Sequence, residues 1–151
     1  MKCYSHLEHS GFEFTIVATS SHITNILFGI HKVGDAQFAH NRMIDDTERQ
    51  LCRYLDGRLR SFSVPTEADG TEFQQSVWDV ISRIPYGQTL TYADIARAIG
   101  HPRAVRAVGM ACNRNPIPLV VPCHRVVGAG GKLTGFGGGV DLKQRLLEIE
   151  K

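Results

Sequence analysis

Thr91–Cys112 reads TYADIARAIGHPRAVRAVGMAC, and the punctuation within it decides how this chain folds. Thr91 followed three residues later by Asp94 is a helix-opening pair, in which the hydroxyl accepts from a backbone N–H and the carboxylate reaches back to the cap. The helix runs Tyr92–Ile99, and Gly100 closes it. His101 leads into Pro102, whose fixed φ suits a first helical position, so a second helix is predicted from there through about Cys112. Two short helices joined by a tight Gly-x-Pro turn make a helix-turn-helix pattern, in which the second helix normally contacts nucleic acid.

That second helix has two kinds of surface. Val105, Val108 and Cys112 form a stripe predicted to face the core. Ala104, Ala107 and Ala111, with Gly109 beside them, leave a thin outward surface flanked by Arg103 and Arg106. The long polar side chains that read base edges in a major groove are missing from it. Glycine inside a helix costs about 1 kcal/mol relative to alanine, and small residues let a backbone approach a narrow space. The surface therefore reads as one that lies close to DNA in the minor groove with little sequence preference; the competing reading is that the alanines merely favour helix.

Charge supports the first reading. Net charge is only +2, but residues 71–151 carry ten Lys/Arg against six Asp/Glu, whereas residues 1–70 carry seven against nine. From Arg97 to Arg125 there are five arginines and no acid, a local excess that suits an anionic partner.

Upstream, Thr71 and Gln74 form another capping box, and Phe73, Val77, Ile81 and Ile84 line one helix face before Pro85-Tyr86-Gly87 stops it. Ser61–Gly70, with Pro65 and Ala-Asp-Gly, reads as a link. Before it, Phe12, Phe14, Ile16 and Ala18 alternate with Glu13, Thr15 and Val17 as in a half-buried strand, and Ile23–Ile30 reads as its hairpin partner. Asp45 and Asp46 are expected to cap a helix over residues 47–55, which Gly57 ends. Downstream, Asp141–Glu150 is predicted as a last helix with Leu142, Leu146, Leu147 and Ile149 apolar. The fold class is thus α+β: a small sheet-and-helix domain, residues 1–68, and a helical domain, residues 69–151.

With 151 residues and 42% apolar content, the chain can bury a real core. No run reaches the length of a membrane span, and MKCYSHLEHSGFEF has no apolar signal core, so no membrane partner and a cytoplasmic location are expected. Cys3, Cys52, Cys112 and Cys123 form no C-x-x-C pair, and in a reducing compartment all four are expected as free thiols.

Pro118–Gly128, PLVVPCHRVVG, sets a thiol, an imidazole and a guanidinium between valines. A thiol is nucleophilic as the thiolate and needs a base at neutral pH. On a strand Cys123 and His124 would point to opposite faces, so contact between them requires a turn or a bridging water, and Pro122 favours a bend. A carboxylate beyond His124 would fix its tautomer, and Asp141, Glu148 and Glu150 are candidates. Arg125 has two readings, a DNA contact or an internal ion pair. After it, the glycine-rich segment 128–139, with Phe136 its bulky aromatic, permits close approach of another molecule.

Taken in order, Tyr92, Arg103-Ala104-Val105-Arg106-Ala107-Val108-Gly109, Asn115-Pro116 and Pro122-Cys123-His124-Arg125-Val126 resemble the O6-alkylguanine-DNA alkyltransferases, from Phe73 to Glu150 without a break. The resemblance implies a ribonuclease H-like first domain, a winged-helix-like second, and a monomer. It implies a cofactor-free, single-use reaction: Cys123 takes the alkyl group from O6 of guanine, and from O4 of thymine, in double-stranded DNA. It makes His124 the water-linked base, Glu150 its partner, Asn115 the residue holding the turn, and Tyr92 the donor to N3 of the departing guanine. Arg106 becomes a finger filling the gap left by an extruded nucleotide, with Arg103, Ala104, Ala107, Gly109 and Thr91 on the DNA-binding surface. Cys112, Val126, Gly130, Gly131, Phe136 and Gly137 become the base pocket. The resemblance places the chain with genomic DNA, in the nucleoid of a bacterium or archaeon or the nucleus of a eukaryote. Extrusion of a base and sequence-blind minor-groove binding are also what the residues themselves suggest for a lesion that can occur anywhere.

Phe136 and Gly137 stand where relatives often carry Tyr and a polar residue, which leaves backbone N–H groups to donate to O6. Some relatives bind zinc through N-terminal residues, but Cys3, His6, His9 and His22 lack a matching second cysteine, and no metal is expected. Three other functions would account for parts of the sequence. A non-repairing binder of alkylated DNA would carry another residue, typically Trp, in place of Cys123. A thiol hydrolase would turn over repeatedly, and a winged-helix regulator would leave the Cys-His pair incidental.

Overall fold

Ser10 and Gly11 both have positive φ, 52° and 80°, and this two-residue turn joins strands β1, Cys3–His9, and β2, Phe12–Ala18, into a hairpin. The computed structural model describes every residue except Met1 and Gly137. Strand β3, Ile23–Phe28, pairs antiparallel on the other side of β2, and the short β4, Gln37–Phe38, runs parallel to β1, giving the order β3-β2-β1-β4. Strand β1 is not evident in CYSHLEH, whose polar residues break the apolar alternation, and pairing with β2 defines it.

Strand β2 departs from the half-buried expectation, since Thr15 and Val17 are as buried as Phe14 and Ile16. The chain after β3 folds back over it: Thr15 Oγ1 donates to the Gly29 carbonyl at 2.8 Å and accepts from His31 N at 2.9 Å. A central strand covered on both faces loses the period of two.

Helix α1, Arg42–Leu55, buries Ile44, Thr47, Leu51, Tyr54 and Leu55. It begins a turn earlier than expected. Asn41, not Asp45 or Asp46, is the cap: its Oδ1 accepts from Ile44 N at 2.9 Å while its Nδ2 donates to the Thr19 carbonyl at 3.0 Å. Asn satisfies an orphan N–H as well as Asp does, and the second bond to the Thr19 carbonyl fixes where the chain enters the helix.

The chain divides into two compact units, Met1–Asp69 and Gly70–Lys151. In the second, helix α2, Glu72–Ile81, opens with the Thr71–Gln74 capping box, and helix α3, Tyr92–Ala98, with Thr91–Asp94. Helix α4, Val105–Asn113, packs against both α2 and α3. Strands β5, Leu90–Thr91, and β6, Val126–Val127, pair in parallel, and helix α5, Val140–Ile149, follows. Val77, Ile81, Ile95, Val108, Ile117, Val126 and Leu146 make this unit's core. Among the described residues no helix is long and apolar enough to cross a membrane.

Helix α4 corrects three expectations. Pro102 is not its first position: residues 101–104 form a turn, so Arg103 and Ala104 precede the helix. Val105 does not face the core but is 39% exposed, and Ala111 does not face outward but is 2% exposed. The later start makes Val105 the first residue of the helix, and the buried face is Val108, Ala111 and Cys112, against Trp78, whose Nε1 donates to the Ala111 carbonyl at 2.9 Å.

Asn41→Ala is expected to lower the stability of the first unit by about 1–2 kcal/mol in urea unfolding followed by circular dichroism. Asp46→Ala, by contrast, is expected to stay within about 0.5 kcal/mol; equal losses would contradict the assignment of the cap.

Candidate active site

Asn115 builds the platform of the site. Its Nδ2 donates to the Val121 carbonyl at 2.8 Å and its Oδ1 accepts from Ile117 N at 3.0 Å, which ties together the two ends of a tight loop. Within that loop Leu119 has φ +72°, a left-handed conformation unusual for a side chain other than glycine. The chain leaves the loop through Pro122 and winds at once into a 3-10 turn, Cys123–Arg125, closed by Arg125 N donating to the Pro122 carbonyl at 2.9 Å. Successive residues on a 3-10 turn point about 120° apart. The turn therefore sends Cys123, His124 and Arg125 to three sides from a position where a strand would have offered two.

Asp141 and Glu148 are exposed, and the carboxylate that meets His124 is Glu150. His124 Nε2 lies 2.6 Å from Glu150 Oε2. Arg125 Nε donates to Oε1 at 2.9 Å and its terminal amine to Oε2 at 3.0 Å, while its other amine donates to the Ile84 carbonyl at 2.7 Å. Gly87 N adds a bond to Oε1 at 3.1 Å. The Arg125 guanidinium lies 5.6 Å over the Tyr86 ring, and Tyr86 OH donates to the Ile149 carbonyl at 3.2 Å. Of the two readings of Arg125, the internal ion pair is the one in the structure. Pro85-Tyr86-Gly87, which stops α2, is thus also a wall of the site. Gly87 has φ +79°, and a Cβ there would come within 3.2 Å of the Glu150 carbonyl, so glycine is needed twice over.

Burial is the largest influence on His124 and lowers its pKa from the ordinary imidazole value, against the opposing pull of the Glu150 carboxylate. The ring is therefore neutral at pH 7. Because the carboxylate accepts, Nε2 carries the proton and Nδ1 is the basic nitrogen.

Cys123 is 6% exposed, and burial pushes its thiol up to about 11, with Asn115 and Lys143 acting the other way. Cys112 is pushed up to about 12 by burial and then by Cys123, again against Lys143. Lys143 is fully buried in α5. Its Nζ donates to the Thr134 carbonyl at 3.1 Å and lies 5.7 Å from the Tyr92 ring centre and 5.9 Å from that of Phe136. Burial lowers its pKa, and the two thiols raise it. Lys143 is not among the residues singled out by sequence alone. The available signal was its place three residues before Leu146, on the buried face of an amphipathic helix where a cation is out of keeping.

Tyr92, the first residue of α3, donates from its hydroxyl to the Thr134 and Gly135 carbonyls at 3.4 Å, and burial raises its pKa. Thr91 is engaged as the cap of α3. Arg103, Arg106 and Ala107 are exposed, and Ala104 and Gly109 are half-buried. Of the expected pocket residues, Val126 is fully buried in β6, Cys112 is buried in α4, and Phe136 is half-buried beside Lys143. Gly130 and Gly131 lie exposed in a short 3-10 turn, and Gly137 falls outside the described residues.

Fold and site together define an α+β protein that keeps a buried thiol, backed by an imidazole and a carboxylate, beside a helix-turn-helix. Residues 72–151 match the family described as 6-O-methylguanine DNA methyltransferase, DNA binding domain. The methylated-DNA–protein-cysteine methyltransferase of Methanosarcina acetivorans is 51% identical over 119 residues, 79% of this chain and 76% of that protein. The inducible one of Bacillus subtilis is 45% identical over 121 residues, 76% of this chain and 68% of the relative. Mycobacterium tuberculosis OGT in complex with DNA superposes with a TM-score of 0.92 at 41% identity, over 99% of this chain and 92% of that one. The chain belongs to the O6-methylguanine-DNA methyltransferase family.

Iodoacetamide labelling of Cys123, followed by peptide mass spectrometry, is expected to keep accelerating above about pH 9, past the point where an exposed thiol of ordinary pKa levels off. Lys143→Met is expected to slow labelling several-fold below that pH, because loss of the cation raises the thiol further; an unchanged rate would mean that Lys143 does not act on Cys123.

Proposed function

We propose that the protein repairs double-stranded DNA directly, by taking the alkyl group from O6 of guanine, or O4 of thymine, irreversibly onto Cys123. The observation that carries this reading is the Cys123–Arg125 turn, which sets a thiol and a neutral imidazole on adjacent positions, the imidazole held by Glu150 at 2.6 Å. His124 takes the thiol proton, through a water, and Glu150 stabilises the imidazolium that results. The thiolate sulfur attacks the alkyl carbon, an S–C bond forms, the C–O6 bond breaks, and the electron pair passes into the guanine ring. Tyr92 donates a proton to N3, the guanine departs and takes its N1–H form by exchange with water, and the proton that His124 accepted returns through solvent to Tyr92. S-alkylcysteine is a stable thioether, so each molecule acts once, and no cofactor enters the balance. Lys143 holds positive charge beside the developing thiolate and the Tyr92 ring, which favours both steps.

The approach to DNA rests on α4. Gly109 has no positive φ to account for it, and a Cβ at this position would meet only Tyr92 Cδ1, at an ordinary 4.0 Å. Its helix cost of about 1 kcal/mol has no compensation inside the protein, which supports a backbone kept clear for a minor groove. Arg106, exposed on the same helix, is the finger that fills the space of the extruded nucleotide, and Arg103 contacts phosphate nearby. The protein acts as a monomer with little sequence preference.

Incubation with a duplex containing O6-methylguanine is expected to add one CH2 to the intact mass, on Cys123, saturating at one per molecule and absent in Cys123→Ala; repeated turnover would overturn the single-use mechanism. Arg106→Ala is expected to lower the rate on that duplex at least tenfold more than the rate on free O6-benzylguanine. Equal losses on the two substrates would remove Arg106 from the role of finger.

A further inference from the structure

Helix α4 carries one feature that the repair reaction does not use. Arg106, Met110 and Arg114 stand at i, i+4 and i+8, on one ridge of the helix, and all three are exposed. Met110 is 54% exposed, the highest fraction among the large apolar side chains described in the second unit. Nothing about helix formation asks for an apolar side chain there. Beside the ridge lies a cavity of about 180 Å3 between the start of α2 and the outer face of α4, with Phe73, Ala107, Met110 and Arg114 among its walls. It lies on the flank of α4 that faces α2, whereas Gly109, whose Cβ would meet Tyr92, lies on the other flank.

We propose that Met110 is a second duplex-binding residue, its thioether packed with Phe73 against the deoxyribose faces of one strand while Arg114 pairs with a phosphate of that strand. This rests on the reading of α4 as the DNA-facing helix. The wall of a minor groove offers C–H faces of sugars flanked by phosphate oxygens, and the seam offers an apolar floor with a guanidinium at its rim. An unbranched, flexible thioether follows such an irregular surface without strain. Charge favours DNA over a protein partner: the ridge is bracketed by Arg106 and Arg114, with Arg103 in the turn that precedes the helix, and these three arginines outweigh Glu72, the acid in the first turn of α2. The arrangement places apolar contact on one flank of the finger and the reacting thiol on the other, so that the duplex is gripped on both sides of the extruded nucleotide.

The test is fluorescence anisotropy with an undamaged duplex over a series of salt concentrations, paired with single-turnover rates on an O6-methylguanine duplex and on free O6-benzylguanine. Met110→Ala is expected to weaken duplex binding about tenfold without changing the slope of log K against log salt, because no charge is lost. It is expected to lower the ratio of duplex rate to free-base rate by a similar factor, and Met110→Leu is expected to restore affinity to within about twofold of the parent. Arg114→Ala is expected to weaken binding and to reduce the salt slope by about one. If Met110→Ala binds as the parent does while Arg106→Ala and Arg114→Ala lose affinity, the inference fails and the wider reading of α4 stands. If none of the three loses affinity, the wider reading fails and takes the inference with it. Equal falls of Met110→Ala on duplex and free base, or a Leu variant as weak as the Ala variant, would also overturn it.

Discussion

The second unit depends on one carboxylate. Glu150, at the end of α5, accepts from His124 and Arg125 of the 3-10 turn and from Gly87 of the turn after α2, so three distant stretches of chain meet on its two oxygens. A buried carboxylate is stable only when its charge is matched and its lone pairs are occupied; removing one member of such a group typically costs about 3–5 kcal/mol. Arg125 supplies the opposite charge, and this is why a guanidinium stands between valines. Because Arg125 also binds the Ile84 carbonyl, the same side chain fixes the turn against the stop of α2. Charge balance and the geometry proposed for catalysis are here a single arrangement.

From that arrangement follows the state of Cys123, the proposed nucleophile. Arg125 neutralises Glu150, so the imidazole need not be charged to sit beside it, and burial keeps it neutral. A neutral imidazole can accept a proton. Cys123 itself is held as a thiol, with burial pushing it up to about 11 and Lys143 and Asn115 limiting the rise. A thiol stored in this state is less open to oxidation and to adventitious electrophiles, as the proposed single-use reaction requires. The valines around PCHR give the dry surroundings that make this possible.

Much of this was legible in the sequence where local chemistry dictates structure. Thr71–Gln74 and Thr91–Asp94 could be read because a capping box needs two residues three apart and nothing else. PCHRV and Asn115-Pro116 could be read because they are local and specific. Errors arose where tertiary contacts choose between local alternatives. Asp45 and Asp46 have the side-chain chemistry of a cap, but the bond from Asn41 to the Thr19 carbonyl sets the entry of the helix a turn earlier. The turn 101–104 displaced the start of α4 and with it the supposed core position Val105. Three carboxylates near the C-terminus could not be ranked by spacing alone. Lys143 stayed hidden because its importance comes from Cys123, Cys112, Tyr92 and Thr134, which only the folded chain brings around it.

Everything proposed for the site turns on Glu150 holding His124 as a neutral base with its proton on Nε2. Nitrogen-15 chemical shifts of the His124 ring, measured across pH 6–8 in the intact protein, test it directly. A neutral, Nε2-protonated ring is expected at pH 7 and above, with protonation appearing only below the ordinary imidazole value of about 6.5. A ring protonated on both nitrogens at pH 7, or protonated on Nδ1 alone, would contradict it.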